Sequence, residues 1–95
     1  MTAYVIADIE VTDPAAYEGY KTAVGATIAA FGGRYLSRAG HTEVLEGGWQ
    51  PKRLVILEFP SLAQAQAWYR SPSYAPLLAL RKSASQSQLV ITEGL

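Results

Sequence analysis

Seven residues, Arg53 to Phe59 (RLVILEF), limit what this chain can fold into more than any other stretch. Val55, Leu57 and Phe59 alternate with Leu54 and Ile56, so a strand built from them is apolar on both faces. Such a strand belongs inside a sheet and needs cover on each side. A chain of 95 residues has room for few covering elements.

The segments around this run supply the rest of the pattern. Ala3 to Val11 alternates, with Val5, Ala7, Ile9 and Val11 on one face and Tyr4, Ile6, Asp8 and Glu10 on the other, which predicts a strand. Asp13-Pro14 is a helix start, because Asp13 can cap free amides and Pro14 suits the first helical position. Tyr17, Tyr20, Val24, Ile28 and Phe31 then recur at helical spacing, and Gly32-Gly33 ends the helix. Arg34 to Leu45 reads as extended chain with a bulge or tight bend at Gly40, followed by a loop at Gly47-Gly48-Trp49-Gln50-Pro51. After the central run, Ser61 with Gln64 makes a capping-box pattern for a second helix that carries Trp68 and Tyr69 and stops at Ser71-Pro72. Ser73 is placed to cap a short helix with Tyr74, Leu77, Leu78 and Arg81, and Pro76 falls in its first turn. A last strand is expected from about Gln88 to Glu93.

The resulting order, β-α-β-β-α-β, is the split βαβ of an α+β, ferredoxin-like fold, with a four-stranded antiparallel sheet and helices on one face. One domain spans residues 1–95. The helices leave the second sheet face bare, and that face is too apolar to stand in water. A second copy packing sheet against sheet is the economical cover. It also helps a small chain that buries only about 60–65% of its unfolded surface.

Eight basic and eight acidic residues cancel, which removes the positive field that nucleic acid requires. With no cysteine, disulfides, thiolate catalysis and cysteine metal sites are excluded. The first residues lack a basic n-region and carry Asp8 and Glu10, and no apolar stretch is long enough to span a membrane. The expectation is a cytoplasmic protein without membrane or nucleic-acid partners.

Phosphate-binding glycine loops, HExxH and nucleophile elbows are missing. The single histidine, His41, could act as a base or a haem ligand, or stand as a turn residue beside Gly40; alone it is too little for zinc. No metal and no cofactor are expected. Asp8 and Glu58 interrupt apolar strands, so they must be paired, hydrogen-bonded or wet. They could form an acid/base pair or polar cavity patch, or structural pairs with Arg34, Arg38 or Arg53. Tyr17, Tyr20, Tyr35, Trp68, Tyr69 and Tyr74 combine apolar area with a polar handle, which suits a small-molecule pocket, a dimer contact or the core. Arg81 could bind an anion in a bidentate way or lie on the surface.

The run Trp49-Gln50-Pro51-Lys52-Arg53, then Glu58-Phe59-Pro60-Ser61, Ala67-Trp68-Tyr69, Ser71-Pro72 and Tyr74 resembles the DUF1330 family. So do Tyr17 and Tyr20 after Asp13-Pro14, Gly33-Arg34-Tyr35, Arg38 and Val44-Leu45-Glu46-Gly47, so that the resemblance covers essentially the whole chain. It implies the dimeric α/β-barrel superfamily, in which two ferredoxin-like sheets face each other in a homodimer. Neighbouring families there include cofactor-free monooxygenases, haem-degrading enzymes, and muconolactone-isomerase-like and stress-responsive proteins; fold alone does not transmit their chemistry. The expectation is a homodimeric small-molecule-binding protein with a pocket between sheet and helices. Tyr17, Trp68, Tyr69 and Tyr74 would line it, and Asp8, Arg38 and Glu58 are the catalytic candidates if it is a cofactor-independent enzyme of isomerase or monooxygenase type. The alternative is a non-catalytic dimeric binding or interaction module.

Overall fold

In the first strand, β1 (Ala3–Val11), Ala3, Val5, Ala7 and Ile9 are buried while Tyr4, Ile6 and Asp8 are half-buried. A computed structural model, describing residues 1–95, thus keeps the two-residue alternation of the sequence. The chain continues through α1 (Pro14–Ala30), β2 (Arg34–Arg38), β3 (Leu54–Phe59), α2 (Leu62–Tyr69), α3 (Ala75–Ala84) and β4 (Ser85–Glu93). The strands form one antiparallel sheet in the order β2-β3-β1-β4, so RLVILEF is central as its composition demands. This is the ferredoxin-like α+β fold.

Local chemistry explains the helices. Asp13 caps α1 by accepting the amide of Ala16 at 3.2 Å, and Tyr17, Tyr20, Val24 and Ile28 turn inward at intervals of three and four residues. Gly32 takes a left-handed φ of 76° just past the helix end, where a side chain would be strained. Ser61 caps α2 by accepting the amide of Gln64 at 3.1 Å.

Four local expectations are corrected. The strand expected over Arg34 to Leu45 stops at Arg38, because Ala39 adopts a φ of 57° and the chain leaves the sheet until Leu54. The bulge sits at Leu36 rather than Gly40: Tyr35 pairs with Leu57 and Ser37 with Ile56, which leaves Leu36 without a partner. Ser73 does not cap α3; Ser71 does the equivalent work, its hydroxyl accepting the Tyr74 amide at 3.2 Å. The last strand starts at Ser85, since Ser85 to Ser87 still pair with Val11 to Ile9.

The inward face of the sheet carries Val5, Ala7, Ile9, Val55, Leu57 and Phe59 beneath the helices. Packing is dense at one end. Phe59 and Trp68 lie 5.4 Å apart, Trp68 and Tyr74 4.3 Å apart, and Ala3 and Ala65 close the gaps. The outward face, with Tyr4, Ile6, Leu54, Ile56 and the 59% exposed Val90, has no helix on it. No helix is long and apolar enough to cross a membrane.

Candidate functional site

At the other end of the sheet the packing opens. Ile9 donates its amide to the Arg53 carbonyl at 3.0 Å and pairs with Ser87, so Arg53, Ile9 and Ser87 stand side by side across three strands. Arg53 shares strand parity with Val55 and Leu57, so its side chain rises on the inward face. Above this row, α1 brings Tyr17, Tyr20 and Lys21, α3 brings Arg81, and the β2 edge brings Tyr35 and Arg38. They surround a partly open cleft whose free volume is about 30 Å³, space for roughly two waters.

The polar chemistry of the cleft has one sign. Of its fifteen lining residues eleven are hydrophobic or aromatic, and the remaining four are Lys21, Arg38, Arg53 and Arg81. The ion pairs of the chain are Lys21–Glu18, Arg34–Glu58 and His41–Glu43, so none of the three cleft arginines has a carboxylate partner. Arg81 is only 2% exposed; its Nε donates to the Tyr74 hydroxyl at 3.4 Å and its Nη1 to the Ser87 hydroxyl. Arg53 lies 5.6 Å from the centre of the Tyr17 ring, and its buried Nε has no hydrogen-bond partner. Arg38 stacks over Tyr35 at 4.6 Å and donates Nη2 to the Lys21 carbonyl at 2.7 Å.

Tyrosines connect these cations. Tyr17 and Tyr20 stand 5.4 Å apart, and the Tyr20 and Tyr74 hydroxyls share a hydrogen bond of 2.8 Å. Burial, followed by the neighbouring Tyr74, holds the Tyr20 phenol far above its ordinary pKa. Burial also raises Tyr35, against the opposing pull of Arg38. Both phenols therefore stay protonated at neutral pH. No carboxylate or histidine lines the cleft, so its proton carriers are the tyrosine hydroxyls and the Lys21 ammonium.

Of the residues singled out in the sequence, Tyr17, Arg38 and Arg81 meet at this cleft, Arg81 buried rather than on the surface. Trp68 and Tyr74 lie behind it in the core: the indole of Trp68 donates to Thr27 Oγ1 at 3.0 Å, and Tyr74 is spent on Tyr20 and Arg81. Tyr69 is half-buried over Leu89 in a separate open hollow beside β4. Asp8 and Glu58 point to the outward face. Asp8 is opposite Leu54 and Glu58 opposite Tyr4, which sets the carboxylates roughly 13 Å apart at about 3.3 Å per residue.

Asp8 instead anchors the long β2–β3 loop, accepting Trp49 Nε1 and the Lys52 amide, each at 2.9 Å. The Trp49 bond lowers its pKa below 3.8, outweighing the opposing effect of burial. Glu58 pairs with Arg34 at 2.8 Å. His41 is exposed and meets only Glu43, and no group of three His, Asp or Glu side chains converges to hold a metal.

Of the cleft residues, Lys21 carries no signal in the sequence, Arg53 enters there only as a pairing partner for Asp8 or Glu58 and within the family motif, and Tyr20 and Tyr35 only among the aromatics. For Arg53 a signal existed: a cation at the inward parity of an apolar strand.

The model of the domain of unknown function DUF1330 matches residues 2–95. The chain belongs to the DUF1330 family. Among solved structures, this DUF1330 chain is similar to the RPA0582 protein of unknown function from Rhodopseudomonas palustris. They share 20% identity at a TM-score of 0.80, covering 99% of this chain and 82% of that one. A dimeric ferredoxin-like protein of unknown function from Thermobifida fusca shares 19% identity at a TM-score of 0.67, with coverage of 99% and 92%. SnoaB, a cofactor-independent oxygenase from Streptomyces nogalater, shares 16% identity at a TM-score of 0.64, again covering 99% and 92%. At these identities the likeness is one of fold. No curated protein sequence matches the chain.

Proposed function

We propose that this DUF1330 chain is a homodimeric small-molecule-binding protein, one domain per protomer, whose ligand enters the cleft between α1 and the sheet. One observation carries the reading. The inward layer is filled with aromatic side chains at the Phe59–Trp68 end, yet at the Arg53 end it keeps an opening ringed by Tyr17, Tyr20, Tyr35 and three arginines without carboxylate partners. An apolar cavity with a few converging polar groups is the usual form of a small-molecule site.

The homodimer rests on the outward face. Ile6, Leu54, Ile56 and Val90 have no helix over them, and the neighbouring loop presents Leu45 at 95% exposure and Trp49 at 60%. The dimeric ferredoxin-like protein from Thermobifida fusca, similar in fold, supports a homodimer.

The fold shared with SnoaB brings forward a second reading, a cofactor-independent oxygenase or isomerase. With no carboxylate or histidine in the cleft, its acid–base work would fall to Tyr17, Tyr20 and Lys21, and Arg38 is the one catalytic candidate that reaches the site. Asp8 and Glu58 serve the loop and the strand edge instead. The same lack of a general base favours binding without turnover.

Native mass spectrometry on the protein as purified tests the proposal. The expected result is a dimer with a reproducible small adduct that Tyr17→Trp, filling the cleft, displaces while the melting curve is retained. A monomer would overturn the pairing. An adduct that survives Tyr17→Trp would overturn the placement of the ligand.

A further inference from the structure

We infer that the cleft selects a small organic carboxylate with a flat apolar body, and that Arg53 is its main charge contact. This inference rests on the reading of the cleft as a ligand site and specifies the chemistry of its occupant. Arg38, Arg53 and Arg81 all line one cavity, no acidic side chain lines it, and none of the three is ion-paired elsewhere. Arg81 is buried and Arg53 half-buried, while Arg38 stands exposed at the mouth. A cation drawn out of water without a counter-charge is costly, so the two inner arginines are least favourable when the cleft is empty of anions. Arg81 has at least two neutral partners, Tyr74 and Ser87, to offset its burial. Arg53 lacks even that at Nε, the one buried side-chain nitrogen or oxygen in the chain without a partner.

Geometry narrows the anion. A guanidinium presents its two Nη groups end-on as a planar fork that matches the two oxygens of a carboxylate. With Nε closed off by protein, this is the fork that half-buried Arg53 can offer a ligand. The Tyr17 ring beneath Arg53 braces that fork at 5.6 Å. The cleft's free volume of about 30 Å³ holds roughly two waters, about what a carboxylate head displaces. The rest of the ligand lies toward the mouth, where Tyr35 and the exposed Arg38 stack at 4.6 Å. Val55, Leu57 and the tyrosine rings make those walls apolar, which suits an aromatic body and disfavours inorganic phosphate.

The test compares benzoate with its neutral isostere benzamide by isothermal titration of the purified protein. Benzoate is expected to bind about ten-fold more tightly, the discrimination of one charge-assisted fork. Arg53→Gln should remove most of that difference, weakening benzoate about ten-fold and leaving benzamide unchanged. Its melting temperature should hold, because Arg53 Nε bonds to nothing in the protein. Arg38→Gln, at the mouth, should weaken benzoate less than Arg53→Gln does.

Equal affinity for the two probes, or a benzoate affinity indifferent to Arg53→Gln, would overturn the carboxylate. Binding of both that Tyr17→Trp abolishes would then leave the small-molecule cleft standing. Failure of benzoate at millimolar concentration, with a neutral adduct found in the protein as purified, would likewise sink the anion and keep the cleft. Failure of benzoate with no adduct at all would sink both.

Discussion

Asp8 illustrates how a suggestive residue acquires a different task from its neighbours. In sequence it is a carboxylate in an apolar strand, which invites a catalytic role. In the fold it points away from the cleft and fastens the β2–β3 loop through Trp49 and Lys52. Its folded pKa lies below 3.8, with the Trp49 bond as the leading cause. Its contribution to stability is therefore fully present above that value and is lost as the pH falls through the folded value. Asp8→Asn is expected to destabilise the protein at pH 7 by about 1 kcal/mol, the solvent-screened value of such bonds. Urea unfolding at pH 7, 4 and 3 should show the gap between variant and parent closing as the acid end is approached. A gap that stays constant would mean that Asp8 does not titrate against this loop. Tyr17 and Arg38 could be read as candidates from residue type, but the satisfaction of Trp68 by Thr27 and of Tyr74 by Tyr20 could not. Those partners lie 41 and 54 residues away, and only packing brings them together.

Among the elements, legibility followed the strength of the local signal. Alternation fixed β1 and β3, and the caps at Asp13 and Ser61 set the starts of α1 and α2. Edge strand β2 was overextended because residues 39–53 carry no period of their own, and its end is set by the fold and by Ala39. Two glycines of the first βαβ unit show how the same substitution changes sign with context. A Cβ on Gly33 would stand 2.5 Å from Phe59 Cε1 and 2.8 Å from Ile28 Cγ2, so the α1–β2 turn passes hard against the core. Gly33→Ala should cost about 1–3 kcal/mol as overpacking. Gly25 lies within α1 and a Cβ there meets nothing within 4 Å. Gly25→Ala should stabilise by about 0.5–1 kcal/mol, the helical penalty of glycine. Urea midpoints of both variants check the pair. A neutral Gly33→Ala would show that the turn can shift away from Phe59.

For the whole molecule, the sheet separates two tasks. Its inward face lines the cleft, and its outward face, bare of helices, is the one proposed to meet a second copy. Ile56 sits in the middle of that outward face, opposite Ile6 in the register and on a central strand. A lysine there would place a charge in the centre of the proposed interface, where removing it from water outweighs what a rim position would cost. Ile56→Lys is expected to shift the protein from dimer to monomer by light scattering at micromolar concentration. Its side chain projects away from Arg53, Tyr17 and Arg81, so benzoate binding by the monomer should stay within about two-fold of the parent. The loop from Ala39 to Arg53 is the one segment joining the two faces: Trp49 and Lys52 tie it to Asp8 on the outward side, and Arg53 enters the cleft. If Ile56→Lys becomes monomeric, stays folded and still loses benzoate affinity, the partner must steady this loop. Dimerisation would then be part of the binding site. Retained affinity would assign the cleft to the single chain and leave the dimer as its answer to a sheet apolar on both sides.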